Sequence, residues 1–465
     1  METTEQRSDW RPFLIGLALW IVATAVTWPS TLTFYDGVGY VGQARNLSQG
    51  RLLPGPETPG VWVETPDGYV PRYPLLLPLA LTPLFAISPY LVFVVGALAA
   101  VALAIVGAVI LDRFRGEPFW GLVFLIHPTL ALMSRTVMTD LALSVFALSS
   151  WWALHRRRRL ASIVLFALLV SIKPTGIPIA LILVSFEALR FVTRHRRGQL
   201  LQEGWPLLAA IVGCAIGGLT VAGLNLMATG TLGYGYSWAH LGRTTFSLEY
   251  LPSSGLTHVR SLIAVPPLLI AGLWSLWKRG AGGAALAAVG LVGLSSSYWF
   301  VDRAPGLANL IVAPRLILPA VAFLLLGYVD IVGGIAERLG VTRLACWIVV
   351  VLAPAVALSL GIVHGQREAP MVRARAAAMH TAEDYPAGPI GVTFPAMKTG
   401  MLIPSEILWF GTGDSRPCVV LCNTASESLR NPGSFDCGSE GYDEEIRIDS
   451  YTILVERGCK ERARR

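Results

Sequence analysis

The chain has 465 residues, of which 54% are hydrophobic and 14% charged, and its formal net charge is +7. Soluble domains carry roughly 25% charged residues, so this composition, with a mean hydropathy of +0.57, excludes an ordinary soluble protein. The positive charge falls in arginine clusters between apolar segments, where it sets membrane orientation, and we therefore assign no nucleic-acid partner.

The apolar segments predict a polytopic all-α membrane protein with about 11 transmembrane helices, because a spanning helix needs about 20 mainly apolar residues. The segments lie at 12–29, 89–111, 117–134, 138–154, 159–172, 176–192, 206–228, 261–277, 282–300, 314–333 and 344–363. Residues 75–87 are shorter and predict a re-entrant or interfacial helix. Together these segments define a membrane domain over residues 1–364, with an outer loop over residues 30–74.

Basic residues predict the orientation of this domain in the membrane. With a cytoplasmic N-terminus, the dense basic clusters all fall in loops on one side, as the positive-inside tendency requires. These clusters are Arg113 with Arg115, Arg156 to Arg159, Arg194 with Arg196 and Arg197, Lys278 with Arg279, and Arg338 with Arg343. We therefore expect a multi-pass protein of the inner (plasma) membrane, with its C-terminal domain periplasmic or extracellular.

Residues 365–465 predict a small soluble extracytoplasmic domain of mixed α/β structure, because short β-like runs at 390–394, 418–422 and 446–455 alternate with turn residues. Its four cysteines predict two disulfides, and hence an oxidising compartment; they are Cys418, Cys422, Cys437 and Cys459. If residues 417–422 form a strand, Cys418 and Cys422 are about 13 Å apart. That separation is too long for a disulfide, so each is expected to pair with Cys437 or Cys459.

The first outer loop carries the strongest catalytic candidate, Asp36, in the sequence F-Y-D-G-V-G-Y directly behind the first apolar segment. An Asp-Gly pair is also a common turn, and a helix cap is the structural alternative. A carboxylate at a membrane boundary is costly unless it is solvated or paired, so it is a functional candidate by default. The same loop holds three tyrosines that are candidates for a donor or acceptor groove: Tyr35, Tyr40 and Tyr73.

A second acid, Asp140, follows in S-R-T-V-M-T-D at the start of the segment 138–154. An Asp at this place is also an ordinary N-terminal helix signal. Its expected position is the same outer boundary as that of Asp36, where Arg135 also lies. Asp140 is therefore the second catalytic candidate.

Basic residues on the outer side run against the orientation tendency and need another explanation. Each lies near the end of an apolar segment and has a structural alternative, snorkelling or pairing with a nearby acid; they are Arg72, Arg135, Lys173, Arg243, Arg303 and Arg315. As a set they indicate an anionic headgroup, and a lipid phosphate fits best, because guanidinium binds phosphate bidentately and Lys acts as a compact charge. Tyr236, His240 and Arg243 lie in one outer loop that forms either an acceptor groove or an interfacial aromatic belt.

Five motifs, taken in chain order, resemble the GT-C superfamily of polyprenyl-phosphate-sugar-dependent glycosyltransferases. They are Y-D-G-V-G-Y, R-Y-P-L-L-L-P-L, S-R-T-V-M-T-D, K-P-T-G and A-P-R-L-I-L-P, and the resemblance covers most of residues 10–335. The most similar branch contains protein O-mannosyltransferases and lipid A aminoarabinose transferases. The resemblance implies that Asp36 and Asp140 are the catalytic acids. It also implies donor-phosphate contacts from Arg72, Arg135, Lys173 and Arg315.

The implied reaction is an inverting displacement that moves a hexosyl or pentosyl group from a polyprenyl phosphate to an acceptor, with Asp36 as the base. The acceptor, whether protein, lipid or polysaccharide, stays open. No cofactor is assigned, and participation of a divalent metal, Mg or Mn, is left open. The alternatives are a ligase or polymerase of lipid-linked glycans, and a transporter or flippase, although transporters usually contain internal repeats.

Overall fold

The computed structural model describes most of the apolar region and the strands of the tail. The described residues are 8–52, 62–65, 68–71, 73–194, 200–230, 246–298, 306–385, 390–392, 402, 407–409, 418–423, 442–448, 450–457 and 459.

Helices dominate these residues up to 385. In chain order they are α1 (Arg11–Val26), α2 (Tyr35–Ser48), α3 (Leu76–Ile87), α4 (Val94–Arg115), α5 (Val123–Ile126), α6 (Pro128–Met133), α7 (Thr139–His155), α8 (Arg159–Ile172), α9 (Gly176–Arg194), α10 (Leu200–Thr229), α11 (Leu256–Ala264), α12 (Gly272–Lys278), α13 (Gly282–Ser296), α14 (Asn309–Val312), α15 (Leu318–Arg338) and α16 (Thr342–Asp384). The strands are β1 (Trp62–Thr65), β2 (Gly68–Pro71), β3 (Ile390–Val392), β4 (Ile407–Trp409), β5 (Val419–Asn423), β6 (Tyr442–Ile448) and β7 (Tyr451–Glu456).

Helical structure is present in each of the predicted apolar segments, and α3 forms where the short helix was expected. Among the described residues, five helical stretches are long and apolar enough to cross a membrane: Pro89–Arg115, Gly176–Thr193, Gly204–Met227, Gly306–Arg338 and Thr342–Asp384. The prediction of a polytopic helical membrane protein is confirmed.

Two predicted spans are interrupted helices, and proline explains both interruptions. His127, before Pro128, and Val265, before Pro266, both leave the helical conformation, with ψ values of 120° and 102°. A residue before proline is driven out of the α region by the clash with the proline ring. Segments 117–134 and 261–277 therefore each contain two short helices.

The chain divides into two compact units. The first unit comprises Met1–Trp28, Val95–Ala222 and Gly242–Leu360, and the second comprises Pro29–Val94, Gly223–Leu241 and Gly361–Arg465. In the first unit, the core lies around α15, which packs against α7, α12 and α13. A Cβ on Gly272 or Gly327 would meet the backbone of the facing helix, so glycine permits the close crossing of α12 and α15.

In the second unit, α2 packs against α3, and β1 pairs with β2 as an antiparallel hairpin. The tail forms a five-stranded mixed sheet in the order β4-β3-β5-β7-β6, in which β3 is parallel to β4 and β5, and β7 is antiparallel to β5 and β6. The small C-terminal domain is thus confirmed. The single run predicted at 446–455 is wrong, because a turn at Ser450 divides it between β6 and β7.

The predicted domain boundary after residue 364 falls inside α16. The apolar residues end near that point, but the following stretch, V-R-A-R-A-A-A-M-H, is rich in residues with high helix propensity, and the helix continues to Asp384. Residues 365–384 are therefore helical, and the sheet begins only at β3.

One disulfide joins Cys418 to Cys459, with their Cα atoms 5.7 Å apart. It closes at the end of the β5–β7 ladder, where Val419 pairs with Val455. The expectation that Cys418 pairs outside its own strand is confirmed. Cys422 is buried in β5, and Cys437 lies outside the described residues, so a second linkage stays a prediction.

Candidate active site

Asp36 lies in the first turn of α2 and is half-buried. The helix begins after Phe34, whose backbone is extended and whose side chain makes no capping hydrogen bond. A carboxylate suits this place, because helix N-termini favour negative charge. The Tyr73 hydroxyl donates a hydrogen bond to Asp36 Oδ1 over 2.9 Å, so the carboxylate has a fixed partner from outside its own helix.

A buried tyrosine pair supports that contact. Tyr40 and Tyr73 are only 2% and 6% exposed, and their ring centroids are 4.7 Å apart. A Cβ on Gly39 would overlap the Tyr73 ring, so glycine is needed where the ring crosses α2. Of the tyrosines predicted to form a groove, these two are brought to Asp36, whereas the Tyr35 side chain lies outside the described residues.

The segment preceding α2 is held by the second half of α16. Glu368 Oε2 accepts hydrogen bonds from the Ser30 amide (3.2 Å) and the Ser30 hydroxyl (2.9 Å). Arg375 donates to the Ser30 carbonyl over 2.9 Å, and Thr33 Oγ1 lies 2.8 Å from His364 Nε2. Both main-chain polar groups of Ser30 therefore bond to one helix, six residues before Asp36.

Sequence reasoning missed these residues of α16. Because residues four apart on a helix share a face, His364 and Glu368 point the same way, and Arg375 follows about two turns after Glu368. The sequence does contain a signal for this contact, which is the helical spacing of the polar residues His364, Glu368 and Arg375. The prediction did not use that spacing because residues after 364 were assigned to a soluble domain.

In the first unit, the buried Asp140 forms an ion pair with the half-buried Lys173. Lys173 Nζ donates to Asp140 Oδ1 over 2.6 Å, joining the first turn of α7 to the residue that ends α8. Asp140 Oδ2 is also buried and has no hydrogen-bond partner among the described residues. The capping alternative does not hold for Asp140, since the N-cap residue is Met138. One predicted acid and one predicted phosphate-binding cation are thus paired directly.

Arg135 and Arg315 are both buried. The Arg135 guanidinium donates to Thr27 Oγ1 over 3.0 Å and to the Thr27 carbonyl. Thr27 is the C-cap of α1, where helix carbonyls lack partners within the helix. Arg135 therefore helps to end α1, a structural contact that the sequence did not reveal. Arg315 lies in the 3-10 helix Ala313–Ile317 that leads into α15.

Five residues predicted for the site lie outside the described part of the chain: Arg72, Tyr236, His240, Arg243 and Arg303. Within the described residues, one group of metal-ligand side chains comes together, Cys418, Glu456 and Cys459. Its two sulfurs share a disulfide, so they do not supply thiolate ligands. No cofactor is assigned to the chain.

No protein-family model matches this sequence, and no curated protein matches it. Solved structures do match. ArnT from Cupriavidus metallidurans bound to undecaprenyl phosphate aligns with a TM-score of 0.60 at 14% identity, over 95% of this chain and 97% of that chain. The apo structure of the same protein gives a TM-score of 0.62 at 15% identity over the same shares. ArnT is a GT-C lipid A aminoarabinose transferase.

The chain has the GT-C fold. The match covers nearly the whole of both chains, so it includes the apolar helices and the small C-terminal domain. The fold implied by the sequence resemblance is therefore confirmed, and the roles of individual residues remain to be argued from their chemistry.

Proposed function

We propose that this protein is a membrane glycosyltransferase of the inner membrane that moves a sugar from a polyprenyl-phosphate donor to an acceptor on the extracytoplasmic face. The observation that carries the proposal is the match over 95% of the chain to a GT-C transferase solved with undecaprenyl phosphate. The motifs in the first outer loop and at Asp140, Lys173 and Arg315 support it, because they follow the order of the GT-C motifs.

Asp36 is the proposed base. Its carboxylate accepts the proton of an acceptor hydroxyl while the acceptor oxygen bonds to the anomeric carbon. The bond between that carbon and the phosphate oxygen breaks on the opposite side, so the configuration inverts. The polyprenyl phosphate leaves with the electron pair and needs no proton at neutral pH. Tyr73, through its bond to Oδ1, orients the carboxylate for this step.

Lys173 is the proposed contact for the leaving phosphate, with Arg135, Arg315 and Arg72 as further cations. A fixed ammonium stabilises charge as it develops on the leaving oxygen. Asp140 is the proposed positioning residue for Lys173, because the 2.6 Å bond and the burial of the carboxylate restrict where the ammonium can point.

The test is a transfer assay with the full chain reconstituted in lipid and a panel of undecaprenyl-phosphate-linked sugars, read as release of undecaprenyl phosphate by mass spectrometry. We expect Asp36→Asn to lower the turnover by about 10²–10⁴-fold, the usual contribution of a general base, while undecaprenyl phosphate still binds. Lys173→Ala should instead weaken that binding by about tenfold or more, since a charge-assisted hydrogen bond contributes about 1.5–3 kcal/mol.

Asp384→Asn is the matched control, because Asp384 is an exposed carboxylate at the end of α16, and it should leave both readouts unchanged. Full turnover in Asp36→Asn would reject the base assignment. Movement of the intact lipid-linked sugar across the membrane without cleavage would replace the transferase with a flippase. Consumption of a diphosphate-linked donor alone would favour the ligase or polymerase.

A further inference from the structure

A cavity of about 360 Å³ lies in the first unit among α4, α7 and α8. One part of its wall is apolar and comes from the helices that pack there: Ile105, Val106, Val109, Trp152, Ala161 and Leu165. Ile105 and Val109 are 40% and 37% exposed and belong to a helix long and apolar enough to span a membrane. The apolar wall therefore reaches the surface that faces acyl chains.

Three arginines line the other part of the wall: Arg113, Arg156 and Arg158. They come from the last turn of α4, the C-cap of α7 and the N-cap of α8. All three are exposed, no acidic side chain lines the cavity, and none of the three makes an ion pair within the described residues. The Arg156 guanidinium lies 5.5 Å from the centroid of the Trp152 ring, which holds it at the edge of the apolar wall.

Membrane orientation alone accounts for arginines in this loop, but it does not require a groove beside them. The cavity has an apolar wall at membrane depth and a cationic rim at the membrane surface. These two parts are complementary to a lipid, which has an apolar acyl chain below an anionic headgroup. Basic pockets between transmembrane helices on the cytoplasmic side bind such headgroups, and guanidinium binds phosphate with two parallel hydrogen bonds.

We propose that this groove is a binding site for an anionic phospholipid of the leaflet on the basic face of the protein. The headgroup phosphate contacts Arg113, Arg156 and Arg158, and one acyl chain lies along Ile105, Val109 and Leu165. The site is independent of the proposed transfer reaction, which uses other residues.

The first test measures retention of phosphatidylglycerol and phosphatidylcholine on the purified full chain by native mass spectrometry. The variant R113Q/R156Q/R158Q should bind phosphatidylglycerol on the order of a hundredfold more weakly, since each basic residue near an anionic lipid contributes roughly fivefold. The control K278Q/R338Q/R343Q removes the same amount of charge from two other basic loops, outside the cavity wall, and it should retain the lipid as the unmodified protein does.

The second test separates the contribution of the apolar groove to lipid binding from the contribution of the arginine charges. Ala161→Phe adds a ring to the wall while keeping all three arginines, and it should also lose the bound lipid. Equal retention of phosphatidylglycerol by the arginine variant and the unmodified chain would overturn the proposal, as would equal binding of phosphatidylcholine. Displacement of the lipid by inorganic phosphate, but not by chloride at equal ionic strength, would indicate a site for a free anion and would also overturn it.

Discussion

At the scale of single residues, the contact between Tyr73 and Asp36 gives the sharpest prediction. Tyr73→Phe removes the hydroxyl that donates to Asp36 Oδ1 but keeps the ring that packs on Tyr40. Hydrogen bonds to charged groups contribute about 1.5–3 kcal/mol, so we expect kcat of sugar transfer to fall by about tenfold or more. KM for the donor should stay nearly unchanged, and the thermal midpoint should fall only slightly, because the packing of the ring survives.

The control is Tyr328→Phe in α15, since Tyr328 makes no hydrogen bond within the described residues. A Tyr73→Phe enzyme with normal kcat would mean that the Tyr73 hydroxyl does not orient Asp36 for the reaction. A fall in thermal stability as large as the fall in rate would instead make Tyr73 a packing residue.

The contact between Asp140 and Lys173 was predictable from the sequence only in part. Asp140 lies in the first turn of α7 and Lys173 follows the end of α8, so these two consecutive helices return the chain to the same side. The sequence therefore predicted that both residues share one boundary. It did not predict a 2.6 Å contact, because the rotation of each helix depends on packing against its neighbours. The bond between Arg135 and Thr27 was missed for the same reason.

At the scale of elements, α16 has two different halves. The first half is apolar, and the second half forms hydrogen bonds with Ser30 in the segment before Asp36. Glu368→Ala removes the acceptor of the two hydrogen bonds that the half-buried Ser30 donates, and a donor left without a partner costs up to about 1–3 kcal/mol. We therefore expect faster amide hydrogen exchange over residues 30–37 and a lower kcat, with little change in exchange within the β-sheet of the tail. Hydrogen-exchange mass spectrometry measures both regions together.

Glu383→Ala is the control on the same helix, because the Glu383 side chain is 76% exposed whereas that of Glu368 is 6% exposed. Unchanged exchange over residues 30–37 in Glu368→Ala would exclude a role for α16 in holding this segment. Faster exchange across the whole protein would indicate general destabilisation instead.

The same helix illustrates what the sequence could predict of elements. Apolar length predicted its spanning half, because the bilayer requires about 20 such residues. Its continuation to Asp384 has no apolar signal and depends on helix propensity, which is a weaker guide. The prolines at Pro128 and Pro266 similarly interrupted helices at places that hydropathy alone treated as continuous.

At the scale of the whole molecule, the fold was predictable although the identity to the matched structures is only 14% and 15%. Few folds are possible in a bilayer, because every backbone polar group of a spanning segment must be hydrogen-bonded within the protein. The order of apolar segments and basic loops therefore restricts the fold strongly. Individual side chains are restricted much less, which is why the fold could be confirmed while the residue roles remain proposals.

The disulfide and the basic loops are two independent indications of how the whole molecule is oriented in the membrane. Disulfides persist in oxidising compartments, so the Cys418–Cys459 bond favours a tail that lies outside the cytoplasm. The positive-inside tendency predicts the same location for the tail, because it assigns the basic loops to the opposite, cytoplasmic side. We therefore expect the Cys418–Cys459 linkage in protein from cells whose thiols are blocked before lysis, detected by non-reducing peptide mass spectrometry. A second linkage, between Cys422 and Cys437, is expected in the same sample.

Cys214 and Cys346 are the internal controls, because both are free cysteines in apolar helices and should be recovered as thiols after denaturation. Recovery of Cys418 and Cys459 as blocked thiols would mean that the tail faces a reducing compartment. The basic loops would then lie outside, against their own tendency, and the first outer loop with Asp36 would face the cytoplasm. Because that one result would move the proposed base to the other side of the membrane, it bears on the acceptor more directly than any substitution in the site.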